Sequence, residues 1–523
     1  MERSILSFFA ILALCASNAQ PSFTKYYSTG GAYKLNMHEL SSGNIHTAIA
    51  AFSGTSVIDQ MGNILHTHCY VTDTFRAVQS VKKYAENEFV FTGTYIKDAC
   101  SVSPSSLRLD PFIGRMDSMG NVYSTVYYTL TAPYCGFVGR GLEITSENDA
   151  IAWGEDDFFA LRVSVSGAVQ WAKWFGRRGG VGFIKELPDG DLLAGFNMDT
   201  AGVVVARMDA GGNFLWCKSY IRPGGRVADC AIESDDSFVI TGYTDSTTST
   251  NPFEPLPADY HPRLFMMKLN GTGEVQWCKG YDSGAYGWYA RMGGQIVETL
   301  DGNYAVLGNL GVPGYNVQYR PFLMKTNPNG DTLWTRSAGE NGEVYNTRNL
   351  LACSDGGFMY TGSGLSTEWG VYLFKTDSLG YLPCHNRHHP VEVVDLFPVD
   401  SSFVLSSIDG ATAHPAFITD TIRDPLVVSD ACFASINTMG RRPQGLRVYP
   451  NPNTGRFTVE FQDPLMADSY YSVYDAVGKL LYQRPLRTGA TVEEVDLGRY
   501  GPGSYVVHFT STEGTCYERV VVE

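Results

Sequence analysis

Two stretches hold enough imidazole and thiol to suggest a metal. His66-Thr-His68 sets two histidines on the same face of a strand, beside Cys69, and Cys384-His385-Asn-Arg-His388-His389 is denser still. Two ligands hold zinc only if a third comes from elsewhere, so the first stretch is expected to be ordinary strand surface. In the second, Cys384 is equally a candidate for a disulfide. Asp189-Gly-Asp191 and Asp301-Gly-Asn303 resemble fragments of calcium loops but lack the other oxygen ligands and the closing glutamate; tight turns account for them. Glu155-Asp156-Asp157 is an acidic cluster with no second carboxylate that can be placed opposite it for glycoside hydrolysis. The sequence has no Gly-x-Ser-x-Gly elbow, no His-Glu-x-x-His and no P-loop. No catalytic, metal or cofactor residue is assigned, and the reading leans away from an enzyme.

The elements that carry these residues repeat. One unit has the form Asp/Asn/Ser-x-x-Gly-x-x-x-Trp, clearest at Asp209–Trp216, Asn270–Trp277 and Asn327–Trp334, with a fourth copy at Ser164–Trp171. Copies without the tryptophan begin at Asp59, Asp117 and Asp377. A side-chain oxygen at the first position can accept from the N–H two residues on, and glycine at the fourth tolerates the positive φ that closes a hairpin. The tryptophan is expected to pack between neighbouring sheets. A second unit precedes each of these, a turn followed by an apolar run and glycine, as in Asp235–Gly242, Asp301–Gly308 and Asp355–Gly362. Two hairpins per repeat make four antiparallel strands, and seven repeats spaced roughly 45 to 61 residues apart suit a propeller.

Connection lengths predict a functional face. The first and third connections of each repeat are tight turns. The second is long, as at Thr94–Pro111, Tyr243–Arg263 and Asn309–Arg320, and so are links between repeats, such as Ala172–Gly180, Ser219–Gly225 and Gly280–Gly294. In an up-and-down blade alternate connections share a side, so the long ones line one face of the disc. Binding concentrates on loops held by a rigid scaffold. The candidate ligand-binding residues there are Trp174, Arg178, Arg222, Tyr243, Tyr286, Trp288, Tyr315 and Tyr319, whose rings and guanidinium groups suit sugars or acidic polymers.

The ends and the bulk composition concern delivery. Residues 1–19 have the pattern of a cleavable signal peptide: Arg3, an apolar run from Ile5 to Leu14, and small residues Ser17 and Ala19 before the cut. No later stretch is long and apolar enough for a transmembrane helix. A net charge of −15 disfavours nucleic acid. Ten cysteines remain after Cys15 is removed; export permits disulfides, with Cys100–Cys135 and Cys384–Cys432 as guessed pairs. From Tyr381 to about Gly445 the repeat fades. The last 78 residues open on Tyr449-Pro450-Asn451-Pro452 and continue through Gly455, Asp475-Ala-Val-Gly478 and Gly503-Ser-Tyr505, with alternating apolar strands that predict a small sandwich.

That tail closely resembles the type A sorting domain of the type IX (Por) secretion system. The resemblance implies passage through the outer membrane by the type IX machinery, removal of the tail, and release or attachment at the cell surface. The propeller units resemble those of many secreted bacterial repeat propellers and, more distantly, the repeat of quinoprotein dehydrogenases.

The expectation is therefore an all-β chain with a signal peptide at 1–19. A propeller of about seven four-stranded antiparallel blades follows at 20–384, then a connector or small β module at 385–445 and an Ig-like β-sandwich sorting domain at 446–523. The expected function is non-catalytic binding of a glycan or protein. The alternatives are an extracellular enzyme, polysaccharide-active or quinoprotein-like, on the long-loop face, or a structural surface-layer component.

Overall fold

The computed structural model describes residues 22–28, 35–49, 54–70, 75–85, 87–100, 103–132, 136–154, 158–176, 179–198, 202–221, 225–244, 263–283, 294–311, 319–338, 346–365, 369–382, 388–416, 420–422, 428–430, 447–460, 470–475, 480–487, 489–511 and 514–523. They form two compact units, one ending at Cys432 and the other containing the tail.

In the first unit, alternating apolar runs between Gly and Asp/Asn turns fold into seven antiparallel sheets. In chain order these are blade 1 (35–70), blade 2 (75–130), blade 3 (141–176), blade 4 (180–221), blade 5 (226–282), blade 6 (295–337) and blade 7 (346–375). Each is a meander of consecutive strands, except that the fourth strand of blade 7 is Phe23–Ser28, paired with Trp369–Lys375. The first strand of every blade packs on the first strand of the next, and Leu35–Glu39 packs on Asn346–Ala352, which closes the circle. This is the seven-bladed propeller. The apolar clusters lie between successive blades; one runs from Phe183 and Leu193 of blade 4 to Phe238, Phe265 and Met267 of blade 5.

The fourth strands would leave a ring of open backbone edges, which are templates for unwanted pairing. The described segments within 388–430 cover most of them. His389 O accepts from Thr335 Oγ1 of blade 6 at 2.7 Å. Then Glu392–Asp395, Ser401–Ser402, Ile408–Asp409, Ala411–Pro415, Asp420–Ile422 and Val428–Asp430 add a fifth strand to blades 5, 4, 3, 2, 1 and 7 in turn. The segment that carries no repeat is thus a strap around the rim, running against the chain order of the blades. It encloses Phe23–Ser28 between Trp369–Lys375 and Val428–Asp430.

Two stretches expected as long connections are largely strand. Residues 94–111 extend the hairpin of blade 2, with Thr94 opposite Pro111 and Cys100 opposite Ser103. The link 172–180 is strand as far as Gly176. Both lengthen because unpaired N–H and C=O groups on neighbouring segments found each other.

The tail is a sandwich of a three-stranded and a four-stranded sheet. Phe457, Val459, Tyr471, Val473, Val495, Leu497, Val507 and Val520 fill the space between them.

Candidate functional site

The repeated turns show why their residues are there. Asp59 Oδ1 accepts from Met61 N at 2.9 Å, as the sequence predicts, and also from Asn63 N at 2.8 Å. Asn63 Nδ2 returns a bond to Asp59 Oδ2 at 2.9 Å. Asp117 with Asn121 and Asp209 with Asn213 repeat this. Asn270 and Asn327 reverse the chemistry, and their amides donate to Glu274 and Asp331. Each of these turns opposes an amide to a carboxylate. The Asn213 side chain holds the Asp209 carboxyl below its ordinary pKa.

The glycine of each turn meets the preceding blade. A Cβ on Gly212, Gly273, Gly330 or Gly380 would lie within about 3 Å of the ring of Trp171, Trp216, Trp277 or Trp334 respectively. The tryptophans therefore pack between sheets as expected, and Trp171 and Trp216 donate Nε1–H to the carbonyls of Ala210 and Gly271 at 3.0 and 3.1 Å. Four residues beyond the tryptophan position a tyrosine joins in. Tyr27, Tyr70, Tyr128, Tyr220 and Tyr281 donate to the carbonyls of Gly62, Gly120, Gly167, Gly273 and Gly330 in the next blade at 2.6 to 3.1 Å. Phe175 and Ala338 stand in that position in blades 3 and 6. Phe175 packs instead with Phe158, Phe196 and Phe214.

The acidic turns are committed to cations. Arg207 binds Asp191 at 2.7 Å and Asp236 at 3.0 Å, and also pairs with Asp189. Asp301 pairs with Lys325 at 2.8 Å, and that bond comes first among those holding its carboxyl far below the ordinary range. The two calcium-loop fragments are thus turns that anchor a third-strand cation. Arg115, Arg162, Lys268 and Lys375 do the same with Glu88, Asp149, Glu233 and Asp355.

First strands carry a second polar row, Lys82–Glu143 at 3.0 Å and Lys185–Asp229 at 2.9 Å. Burial works against the Lys185 ammonium, but Asp229 and its neighbours more than offset this and raise its pKa. Cys217, Cys230, Cys278 and Cys353 are free thiols. Burial pushes Cys217, Cys278 and Cys353 up to about 12, so they rest protonated and unreactive. The guessed disulfides fall on side chains outside the described residues.

His66 and His68 lie edge-on with ring centroids 5.9 Å apart. No group of three or more His, Cys, Asp or Glu among the described residues is placed to hold a metal ion. His388 contacts Thr335 at 3.3 Å, which makes it part of the strap anchor. Cys384, His385 and Glu155-Asp156-Asp157 lie outside the described residues.

Of the candidate ligand-binding residues, two are drawn into packing. Tyr243 is 1% exposed, buried among Leu264, Tyr281, Val306 and Leu310 between blades 5 and 6. Trp174 sits within the fourth strand of blade 3, opposite Phe159 and the strap's Ile408, against Leu130, Phe137 and Phe159. The strands that carry both run further than the repeat pattern predicts. Tyr319 opens the third strand of blade 6 opposite Gly311; its side chain, with Arg178, Arg222, Tyr286, Trp288 and Tyr315, is outside the described residues.

In the tail, Tyr449-Pro450 and Asn451-Pro452 have cis peptide bonds. Asn451 Oδ1 accepts from Val521 N at 2.9 Å. Asn453 donates through N and Nδ2 to Val521 O, at 2.9 and 3.1 Å, and its own carbonyl accepts from Glu523 N at 2.8 Å. The opening motif is thereby tied to the final strand. Gly455 has φ +97° and faces Gly498 Cα at 2.8 Å from an added Cβ. Tyr505 OH donates to the carbonyls of Tyr500 and Gly501 at 2.9 and 2.7 Å. Gly503 begins the strand that carries it, Asp475 follows the strand Tyr470–Tyr474, and Gly478 lies outside the described residues.

Residues 447–523 match Por_Secre_tail, the secretion system C-terminal sorting domain. A β-propeller passenger joined to a sorting domain is the class that fold and tail define. The chain is a type IX secretion cargo, and its tail implies secretion and attachment at the cell surface. No helix among the described residues is long and apolar enough to cross a membrane.

Among solved structures, the chain is similar to PorZ, an essential surface component of the type IX secretion system of Porphyromonas gingivalis. The identity is 11% and the TM-score 0.33, over 94% of this chain and 75% of that one. It is also similar to a streptogramin B lyase (12%, TM-score 0.40, over 69% and 100%). A virginiamycin B lyase from Staphylococcus aureus is a further likeness (11%, TM-score 0.39, over 67% and 98%). No curated protein matches the sequence.

Proposed function

We propose that residues 1–19 are a signal peptide and that the exported propeller is a binding module for a glycan or a surface protein, engaged through its long connections. Topology carries this reading. Each blade is a meander, so second connections and inter-blade links leave from one side and the hairpin turns from the other. On the hairpin side the turn carboxylates are committed to their own turns or to a cation. The connections of variable length leave from the opposite side, and in the sequence Arg178, Arg222, Tyr286, Trp288, Tyr315 and Tyr319 fall on or beside them. Such loops can differ between proteins without disturbing the ring beneath.

Two experiments test the proposal. Truncation before residue 447 should hold the protein in the periplasm, and undiminished surface display would refute the export route. The double substitution Trp288→Ala and Tyr286→Ala should weaken binding to whatever a glycan array or envelope-protein capture identifies by at least about tenfold. Binding that survives unchanged would remove these aromatics from the site, and turnover of a polysaccharide would favour the enzyme reading.

A further inference from the structure

Blade 1 carries a line of histidines that the sequence scatters over 29 positions. His38 on its first strand stands opposite His46 on the second; His46 opposes Val57, and Val57 opposes His66. Cross-strand partners share one face of a sheet, and here that face meets blade 2. His38 Nε2 lies 2.6 Å from Val81 O. The His46 ring stacks on Phe89 at 4.2 Å and 15°. His46 is 0% exposed, and neither of its ring nitrogens has a hydrogen-bond partner.

We infer that the seam between blades 1 and 2 is an acid-sensitive latch. It holds while His38 and His46 are neutral, and it loosens when mild acid favours the parted state in which both can take up a proton. An imidazolium needs acceptors or water on both nitrogens, and the closed seam gives His46 neither. The surrounding charges do not compensate. The Lys82 and Lys83 charges of blade 2 act against an imidazolium at His38, Lys82 from its pairing with Glu143 of blade 3, and the His66 and His68 rings act against one at His46 from its own blade. Asp117 is the carboxylate acting on His46, and its oxygens accept from Met119 N, Asn121 N and Asn121 Nδ2. On blade 7, Ser354 donates to Glu39 from both its N–H and its hydroxyl.

Burial, then Lys82, brings His38 down to about 4, and burial, then His38 and His66, brings His46 down to about 3. In the parted or unfolded state both rings titrate near 6.5. That state therefore binds more protons as pH falls below 6.5, and the seam loses stability progressively from there toward pH 4. Above pH 7 nothing is lost. Each histidine shifts the opening equilibrium by up to about tenfold per pH unit. Blade 1 also borders blade 7, where the ring is closed by Phe23–Ser28 rather than by continuous chain.

Hydrogen–deuterium exchange on the purified full chain tests the latch at pH 7.5 and pH 5, corrected for intrinsic rates. Amides of Ile45–Ile49 and Phe75–Ala85 should open at least tenfold more at pH 5, while strands of blades 4 and 5 stay as they were. The pair His38→Gln and His46→Phe should abolish that difference. If the pair does not fold, His46→Phe alone, which keeps a ring on Phe89, should flatten the pH dependence of the urea midpoint below pH 6.5. Acid loosening spread evenly over all blades, or retained in the variants, would overturn the inference. So would protection of the same amides by zinc at pH 7.5.

Discussion

The seam between blades 4 and 5 and the closing corner of the tail use similar parts. In the seam, Gly273 at φ +75° lies against Trp216 and the Tyr220 hydroxyl. In the tail, Gly455 at φ +97° lies against Gly498, beside the asparagines that tie 451–453 to 521–523. The difference is repetition. The ring has a counterpart of the first contact at seam after seam, and blades 3 and 6 manage with Phe175 and Ala338 in place of the tyrosine. The tail makes its corner once, in a domain of 77 residues whose first and last strands depend on it. Damage in the ring should therefore be graded, and damage in the tail close to all-or-none.

Gly455→Ala breaks the comparison most severely. Its Cβ would press on Gly498 in a backbone conformation that alanine resists, at a cost of about 3 kcal/mol, a large share of what so small a domain has. Surface-exposed protein should fall at least tenfold in fractionated cells, and unaltered export would show that the corner is dispensable. Gly273→Ala adds similar strain, about 2–3 kcal/mol. The ring should nevertheless stay folded, with its urea midpoint lowered and its export kept. Tyr281→Phe removes one buried bond to Gly330 O and should cost about 1 kcal/mol by denaturant titration. A cost above about 3 kcal/mol would mean the seams act cooperatively. Asp400→Asn loosens the strap's pairing with Lys218, an ion pair whose carboxylate is 46% exposed, and should change stability by less than about 0.5 kcal/mol.

The turns were legible in the sequence because their chemistry is local. An Asp or Asn, the amide or carboxylate four residues on, and the glycine between them satisfy one another before any blade exists. The tryptophans were legible as packing residues, although the second reason for the turn glycine, a ring from the previous blade, was not. The strap escaped notice for a physical reason. Its bonds are mostly backbone to backbone, and backbone carries no residue signature. In the structure Leu396 N, Phe403 N and Gly410 N donate to Cys278, Cys217 and Ala172 carbonyls, so successive blades meet the strap every seven residues. The candidate face was read from connection lengths, and strands that run further than the repeat bury Tyr243 and draw Trp174 into a half-buried position. Only a neighbouring blade could reveal that.

By itself, then, the sequence determined what short-range chemistry determines: the hairpin turns, the alternation of strands, the count of seven repeats and the tail that directs export. Tertiary structure decided what depends on distant segments meeting. It set Phe23–Ser28 into blade 7, brought Ala416 onto Thr125 across 291 positions, and aligned His38, His46 and His66 in one row. A turn closes over four residues along the chain, and those residues must announce it. A strand edge accepts any backbone that reaches it, and which one arrives is settled only when the ring has closed.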